Sequence, residues 1–230
     1  MNLFISGDDP LREALELRIR DRMLHGMVVS SAESDMSIIF DHVGDRTPID
    51  SPTILVTRWD DSSEPTARGS VCVLRIRDML APGREHPLGE SDIDAMLDAL
   101  SIGQPSIPTL AARHWVAQRD VVDAIESLIE HPDPWGHSVE VCGRRCWDPI
   151  DLFAELSMLW RRFEHSSSAM IDVEDLKVKP PQTSAGAGEG PEPDHSGLHR
   201  LLEQINGVGW KPLTPMRIAL MELLSDRLDV

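Results

Sequence analysis

His195 and His199 are spaced four residues apart, which on a helix places two imidazoles on one face in the manner of paired metal ligands. Only Asp194 stands beside them as a further ligand, so we read the pair as solvated histidines. Cys142 and Cys146 flank Gly143-Arg144-Arg145, and neighbouring guanidinium groups would lower a thiol pKa toward a reactive thiolate. The more ordinary reading is a core cysteine in a strand and a second one near its exit. No Ser-His-Asp order, Walker loop, HExxH or calcium-loop pattern occurs. Two absences narrow the chemistry further. The 230 residues contain no tyrosine, and the 22 basic residues include only three lysines, Lys177, Lys179 and Lys211. A mechanism that needs a phenol, or an ammonium group before position 177, is excluded.

The elements that must position these residues follow from composition and period. Hydrophobic residues make up 41 % of the chain and charged residues 27 %, as in an ordinary folded domain. The net charge of −17 repels phosphate backbones and anionic lipid, so neither nucleic acid nor a membrane is expected as a partner. The three cysteines form no CxxC pair, which suits a reducing compartment. The opening MNLFISGDD has no basic stretch followed by a long apolar run, and a cytoplasmic location is expected.

Asn2 to Ser6 reads as a strand stopped by Gly7, and Leu11, Ala14, Leu15, Ile19 and Met23 then fall on one face of a helix ending near Gly26. Met27 to Ser30, Ser37 to Phe40, Thr53 to Thr57 and Val71 to Leu74 are short β-rich runs without clean alternation, as expected of a parallel sheet covered on both faces. Helical spacing returns at Ser91 to Leu100 and Val121 to Glu130, the latter with Asp120 as its expected N-cap. Ser138 to Cys142 reads as a strand and Pro149 to Phe163 as an amphipathic helix capped by Asp148. Residues 166–196 are rich in Ser, Pro, Gly and acid and are expected to form a flexible loop. A helix to Ile205, a turn from Asn206 to Pro212 and a last helix from Pro215 to Leu228 complete the chain. Trp115, Trp147, Trp160 and Trp210 lie in apolar contexts and are expected to anchor a core or an interface.

Five blocks in order resemble the extended short-chain dehydrogenase/reductase family, the NAD-dependent nucleotide-sugar epimerases and dehydratases. NLFISGDDPLREAL is similar to that family's strand and TGxxGxxG turn. Leu74 to Gly83 stands where the family has LRPxNVYGPG, and Arg113 to Ile125 resembles RDFVHVDDVAxAI. Gly136 to Gly143 is similar to GEVYNVGG, and Gly209 to Thr214 to the closing LGWKPxT. The likeness runs nearly unbroken from Val71 to Leu228 and is looser over residues 1–70.

The resemblance implies an α/β fold: a reduced Rossmann-like parallel sheet with flanking helices and a small C-terminal substrate-type subdomain. The implied organisation is a trimmed core at 1–82, its remainder with part of the subdomain at 83–165, the flexible segment at 166–196 and a helical subdomain at 197–230. It assigns cofactor binding to Gly7, and ligand binding to Arg75 and Asp78 at a strand end and to Arg113, the arginine that pairs with a nucleotide-sugar diphosphate. The ordinary alternatives are an Arg75–Asp78 structural pair and an Arg113 bridge to Asp120 or a neighbour.

Several family features are replaced. Pro10 and Glu13 stand at the second and third glycine positions, removing one amide donor and adding a negative charge where pyrophosphate would sit. Ser30 and Ser31 stand where a ribose-reading residue is expected. Thr57 or its neighbour represents the catalytic Ser/Thr, but RWDDSSEPTARGS, between that strand and the next, carries neither member of the family's YxxxK pair. From this we expect no cofactor, with NAD(P) weak or absent. The expected function is a catalytically inactive protein with a binding, scaffolding or regulatory role and another protein as partner, such as an active family relative. The alternative is a nucleotide-sugar or other small-ligand binder acting without Tyr-Lys chemistry. The helices that pair in the family's homodimer have no room in the chain, so that dimer is not expected.

Overall fold

The first strand, β1 (Asn2–Ser6), leads through a turn at Gly7 into α1 (Pro10–Asp21). Asp9 caps this helix, its Oδ1 accepting the Leu11 N–H at 2.7 Å, and Pro10 occupies the first turn, where a missing N–H costs nothing. Leu11, Leu15 and Ile19 bury the face predicted by their spacing. The structure is a computed structural model and describes residues 2–7, 9–22, 28–29, 35–40, 52–59, 69–82, 91–103, 111–130, 135–168 and 192–227.

The main sheet adds β2 (Val28–Val29), β3 (Met36–Phe40), β4 (Thr53–Arg58), β5 (Val71–Ile76) and β8 (Ser138–Val141) in the order β2-β1-β3-β4-β5-β8. All of its pairings are parallel. A reduced Rossmann-like α/β fold is therefore what the chain adopts. The full doubly wound order 3-2-1-4-5-6 has one more strand outside the second; among the described residues nothing lies beyond β2. The path from β2 to β3 crosses from one side of β1 to the other in six residues, too few for a helical crossover. It is possible because β2 is only two residues long and pairs with Asn2 and Leu3, while β3 begins opposite Leu3. The span is therefore two strand spacings, roughly 10 Å, against a reach of roughly 20 Å for six residues.

Two short strands, β6 (Met79–Leu80) and β7 (Val116–Ala117), pair beside the sheet. The helices are α2 (Ser91–Ser101), α3 (Gln118–Ile129), α4 (Pro149–Ser168), α5 (His195–Asn206) and α6 (Met216–Arg227). α1, α3 and α5 cover one face of the sheet, and Leu11, Leu15, Ile125 and Leu198 pack there against Leu3, Ile38, Ile54 and Leu74. α2, α4 and α6 form a second core around Leu80, Leu97, Trp115, Leu156 and Leu220. Trp115, Trp160 and Trp210 are buried as expected, and Trp147 packs on the second core.

Three expectations change. α3 starts at Gln118, so Asp120 lies in its first turn and the N-cap is Ala117, with no side-chain cap bond. α4 runs to Ser168 and α5 starts at His195, so both ends of the expected 166–196 loop are helical; residues 169–191 lie outside the described residues, as do Ser30 and Ser31. Asp148 does hold the start of α4, accepting the Ile150 N–H at 2.8 Å. Among the described residues no helix is long and apolar enough to cross a membrane.

Candidate functional site at the carboxyl edge of the sheet

In a parallel α/β sheet the side chains that follow the strand ends converge on one edge, where ligands of such folds bind. Gly7 follows β1, Trp59 follows β4, Arg77 and Asp78 follow β5, and Cys142 follows β8. The strand period thus gathers on one edge residues that are far apart in sequence.

Gly7 has φ +113°, and a Cβ placed there would lie 2.5 Å from the Phe40 carbonyl oxygen, so only glycine fits where β1 and β3 diverge. The fit to a dinucleotide is partial. The bare turn is present, and Arg12 donates from Nη1 to the Gly7 carbonyl at 3.0 Å, which sets a guanidinium beside it. Yet Pro10 offers no N–H, and the Leu11 N–H is already given to Asp9. A pyrophosphate here would rest on the Arg12 cation more than on open amides.

Asp78 and Arg113 come together. Asp78 takes a left-handed backbone conformation, φ +53°, uncommon outside glycine. Its buried carboxylate accepts Arg113 Nη1 at 3.0 Å and the His114 N–H at 2.9 Å, and its carbonyl accepts the Val116 N–H. Arg113 Nη2 reaches Asp92 Oδ2 at 2.5 Å, so its fork spans two carboxylates. Of the ordinary alternative, a bridge from Arg113 to Asp120 or a neighbour, the structure shows a bridge, but to Asp78 and Asp92 in place of Asp120. Arg75 does not pair with Asp78 either. Its Nη2 lies 3.4 Å from Glu140 Oε1, its register partner on β8, because side chains directly opposite on adjacent strands share a face. Glu140 also accepts Trp59 Nε1 and the Asp194 N–H, both at 3.0 Å.

Asp120 instead binds the closing motif. Its carboxylate accepts the Leu213 N–H at 3.1 Å, the Thr214 N–H at 3.2 Å and Thr214 Oγ1 at 2.9 Å, tying α3 to the entry of α6. Burial pushes its pKa above the usual carboxylate value, and those three donors oppose the shift. The segment after β8 is held as tightly. Gly143 donates to the His114 carbonyl at 2.8 Å, and a Cβ on it would lie 2.0 Å from the Trp115 carbonyl oxygen. Arg113 and Trp147 exchange both backbone hydrogen bonds.

His195 and His199 are not a solvated pair. His195 Nδ1 lies 3.4 Å from Cys142 Sγ, and its ring sits 5.3 Å from that of His114, while His199 Nδ1 faces the Trp210 carbonyl at 3.3 Å. Burial, with His114 and Arg144 nearby, lowers the His195 pKa; burial pushes the Cys142 thiol up to about 12, so it is an inert core thiol. Among the described residues no group of three His, Cys, Asp or Glu could hold a metal ion. Sequence reasoning missed Asp92, Glu140 and Trp59, which belong to no motif; the Arg75–Glu140 contact needs the strand register, which spacing alone does not fix.

No protein-family model and no curated protein matches the sequence. Solved structures do match, and they define the fold. The chain is similar to RMD from Pseudomonas aeruginosa complexed with NADPH, at 12 % identity and a TM-score of 0.61 over 100 % of this chain and 99 % of that one. A UDP-glucose 4-epimerase from Thermotoga maritima solved with UDP-glucose matches at 11 % identity and 0.59, over 100 % and 99 %. A dTDP-glucose 4,6-dehydratase from Bacillus anthracis in complex with NAD matches at 10 % identity and 0.57, over 100 % and 97 %. The chain shares the fold of these epimerase and dehydratase structures, as the motif blocks implied. The expectation of no cofactor is corrected by these structures: they are solved with NADPH or NAD, and the fold points to a nucleotide cofactor rather than to none.

Proposed function

We propose that this chain is a nucleotide-binding protein of the epimerase/dehydratase fold that acts by binding, as a scaffold or regulator, without that family's proton-transfer step. The observation that carries this reading is the absence of any tyrosine, and of any lysine before position 177, from a chain whose fold is otherwise kept. A bound nicotinamide dinucleotide supplies hydride transfer, but oxidation of a sugar hydroxyl also needs a group to take its proton. Thr57 stands at the end of β4, where the family's Ser/Thr is expected, and has no phenol to work with. Gly7 and Arg12 would hold the pyrophosphate. Arg113, closed on Asp78 and Asp92, serves to join the β5–β6 turn to the segment before α3 and to α2, which supports a structural role over diphosphate binding. A protein partner, such as an active relative, is the target of this proposed role.

Titration calorimetry with NAD, NADH and NADPH tests the binding half. Saturable binding that Arg12→Glu weakens by about tenfold is expected, since reversing that charge places a carboxylate against the pyrophosphate. Binding unchanged by Arg12→Glu removes the assigned site. Pull-down of an active relative with the wild-type chain tests the partner half, and a chain that stays alone in the presence of such a relative argues against it.

A further inference from the structure

The start of α5 is laid against the end of β8 along one narrow seam. The Asp194 N–H donates to Glu140 at 3.0 Å, a Cβ placed on Gly197 would lie 3.6 Å from Val139 Cγ1, and Leu198 is buried. His195, the first residue of the helix, turns into this seam: its Nδ1 lies 3.4 Å from Cys142 Sγ and its ring 5.3 Å from the His114 ring. Cys142 is 1 % exposed, with the His195 ring against its sulfur. His114 is fixed from its own side. Its Nδ1 lies 3.1 Å from the Gly143 carbonyl, which only accepts, so that nitrogen carries a hydrogen.

Each element packed at the seam adds to the field that His195 meets. Glu140 on β8 and Asp194 at the helix cap attract a proton to it, whereas His114 before β7, Arg144 after β8 and burial itself oppose one. An imidazolium here would stand at the positive end of the α5 dipole, and its Nδ1–H would face a thiol, which is a weak acceptor.

We infer that the His114–His195 seam is an acid-operated latch: with His195 neutral the first turn of α5 is docked on β8, and with His195 protonated that turn swings off, exposing Cys142 and freeing Glu140 from the Asp194 N–H. The docked imidazole resists protonation, chiefly through burial, whereas an undocked one titrates near about pH 6.5. The docked state is therefore complete above that value and loses ground as pH falls through it. Opening one helix end costs less than unfolding the chain, and Leu201 and Leu202 keep the rest of α5 in the core. The latch uses neither Gly7 nor Arg12 and stands whether or not a dinucleotide binds.

Thiol labelling of the whole chain with dithiodipyridine, read peptide by peptide by mass spectrometry, tests the latch, each rate being divided by that of the urea-unfolded chain at the same pH. Normalised labelling of Cys142 is expected to rise by about tenfold from about pH 7.5 to about pH 5.5, the factor by which a group titrating near about 6.5 favours the open state one unit below it. Cys72, fully buried on β5, is the guard against global unfolding and is expected to stay protected. In His195→Gln the rise is expected to vanish; in His114→Gln, which removes one opposing ring, it is expected to need a lower pH. Amide exchange at Ser196 and Gly197, whose N–H groups bind the Asp194 cap, is expected to follow the wild-type labelling curve. Cys142 labelling that is flat with pH, a rise unchanged in either variant, or Cys72 labelling that rises together with Cys142 overturns the inference.

Discussion

The turn between β1 and α1 and the hub around Arg113 share one edge of the sheet, and they are built in opposite ways. At the turn the backbone sets the geometry: Gly7 fits against Phe40, while Pro10 and Glu13 stand where the resemblance expects glycines. At the hub the side chains set the geometry, because the Arg113 fork satisfies the buried carboxylate of Asp78 and that of Asp92. Contacts that build the fold are made by backbone and buried carboxylates, which tolerate no substitute. Contacts that build chemistry are made by side chains that can be lost without unfolding the chain.

The sharpest way to break this comparison is at Gly143. Gly143→Ala drives a Cβ into the Trp115 carbonyl and is expected to cost about 3 kcal/mol, measured by denaturant unfolding. A cost near zero would mean that the segment after β8 is not locked to the strand before α3. Next comes Arg113. Arg113→Ala leaves buried Asp78 with only the more distant Arg77, at 3.8 Å, and is expected to cost about 2 kcal/mol, discounted from the larger figure for a fully buried pair because the arginine is partly exposed. An unchanged stability with loss of nucleotide-sugar binding would return Arg113 to the ligand. Asp120→Ala orphans the donors at Leu213 and Thr214, for about 1.5 kcal/mol and faster amide exchange at those two residues.

The smallest effect concerns pH. The folded His195 resists protonation because it is buried near His114 and Arg144. The unfolded imidazole takes a proton below about pH 6.5 more readily than the folded one, so stability falls as pH drops through that value. His195→Gln should flatten the slope between about pH 5 and 6.5 in thermal melts. A slope unchanged by the variant would assign it to other groups.

Much of the fold was legible because period and punctuation agree locally: NLFIS before Gly7, the Leu11–Leu15–Ile19 stripe after Pro10, and Asp148 before Pro149 each specify an element by themselves. The paired arginine and acids of the hub were legible only as types. Asp120 illustrates the difference, since a carboxylate at a helix start reads as a cap, and only tertiary structure brings Leu213 and Thr214 to it. Asp92 and Glu140 carried no signal in the sequence, because their roles arise from α2 docking at the strand ends and from the register of β5 with β8. The cofactor was misjudged from Pro10, Glu13, Ser30, Ser31 and the missing Tyr-Lys pair, because the Arg12 cation beside the Gly7 carbonyl is brought there only by the fold.

The most direct test of binding without proton transfer is a paired reading on one sample: NADH fluorescence on mixing with the protein, then absorbance of the cofactor after UDP-glucose or dTDP-glucose is supplied with NAD. A saturable fluorescence change with no reduction of NAD and no altered sugar is the predicted result. Reduction of NAD or formation of an epimerised or dehydrated sugar would contradict it.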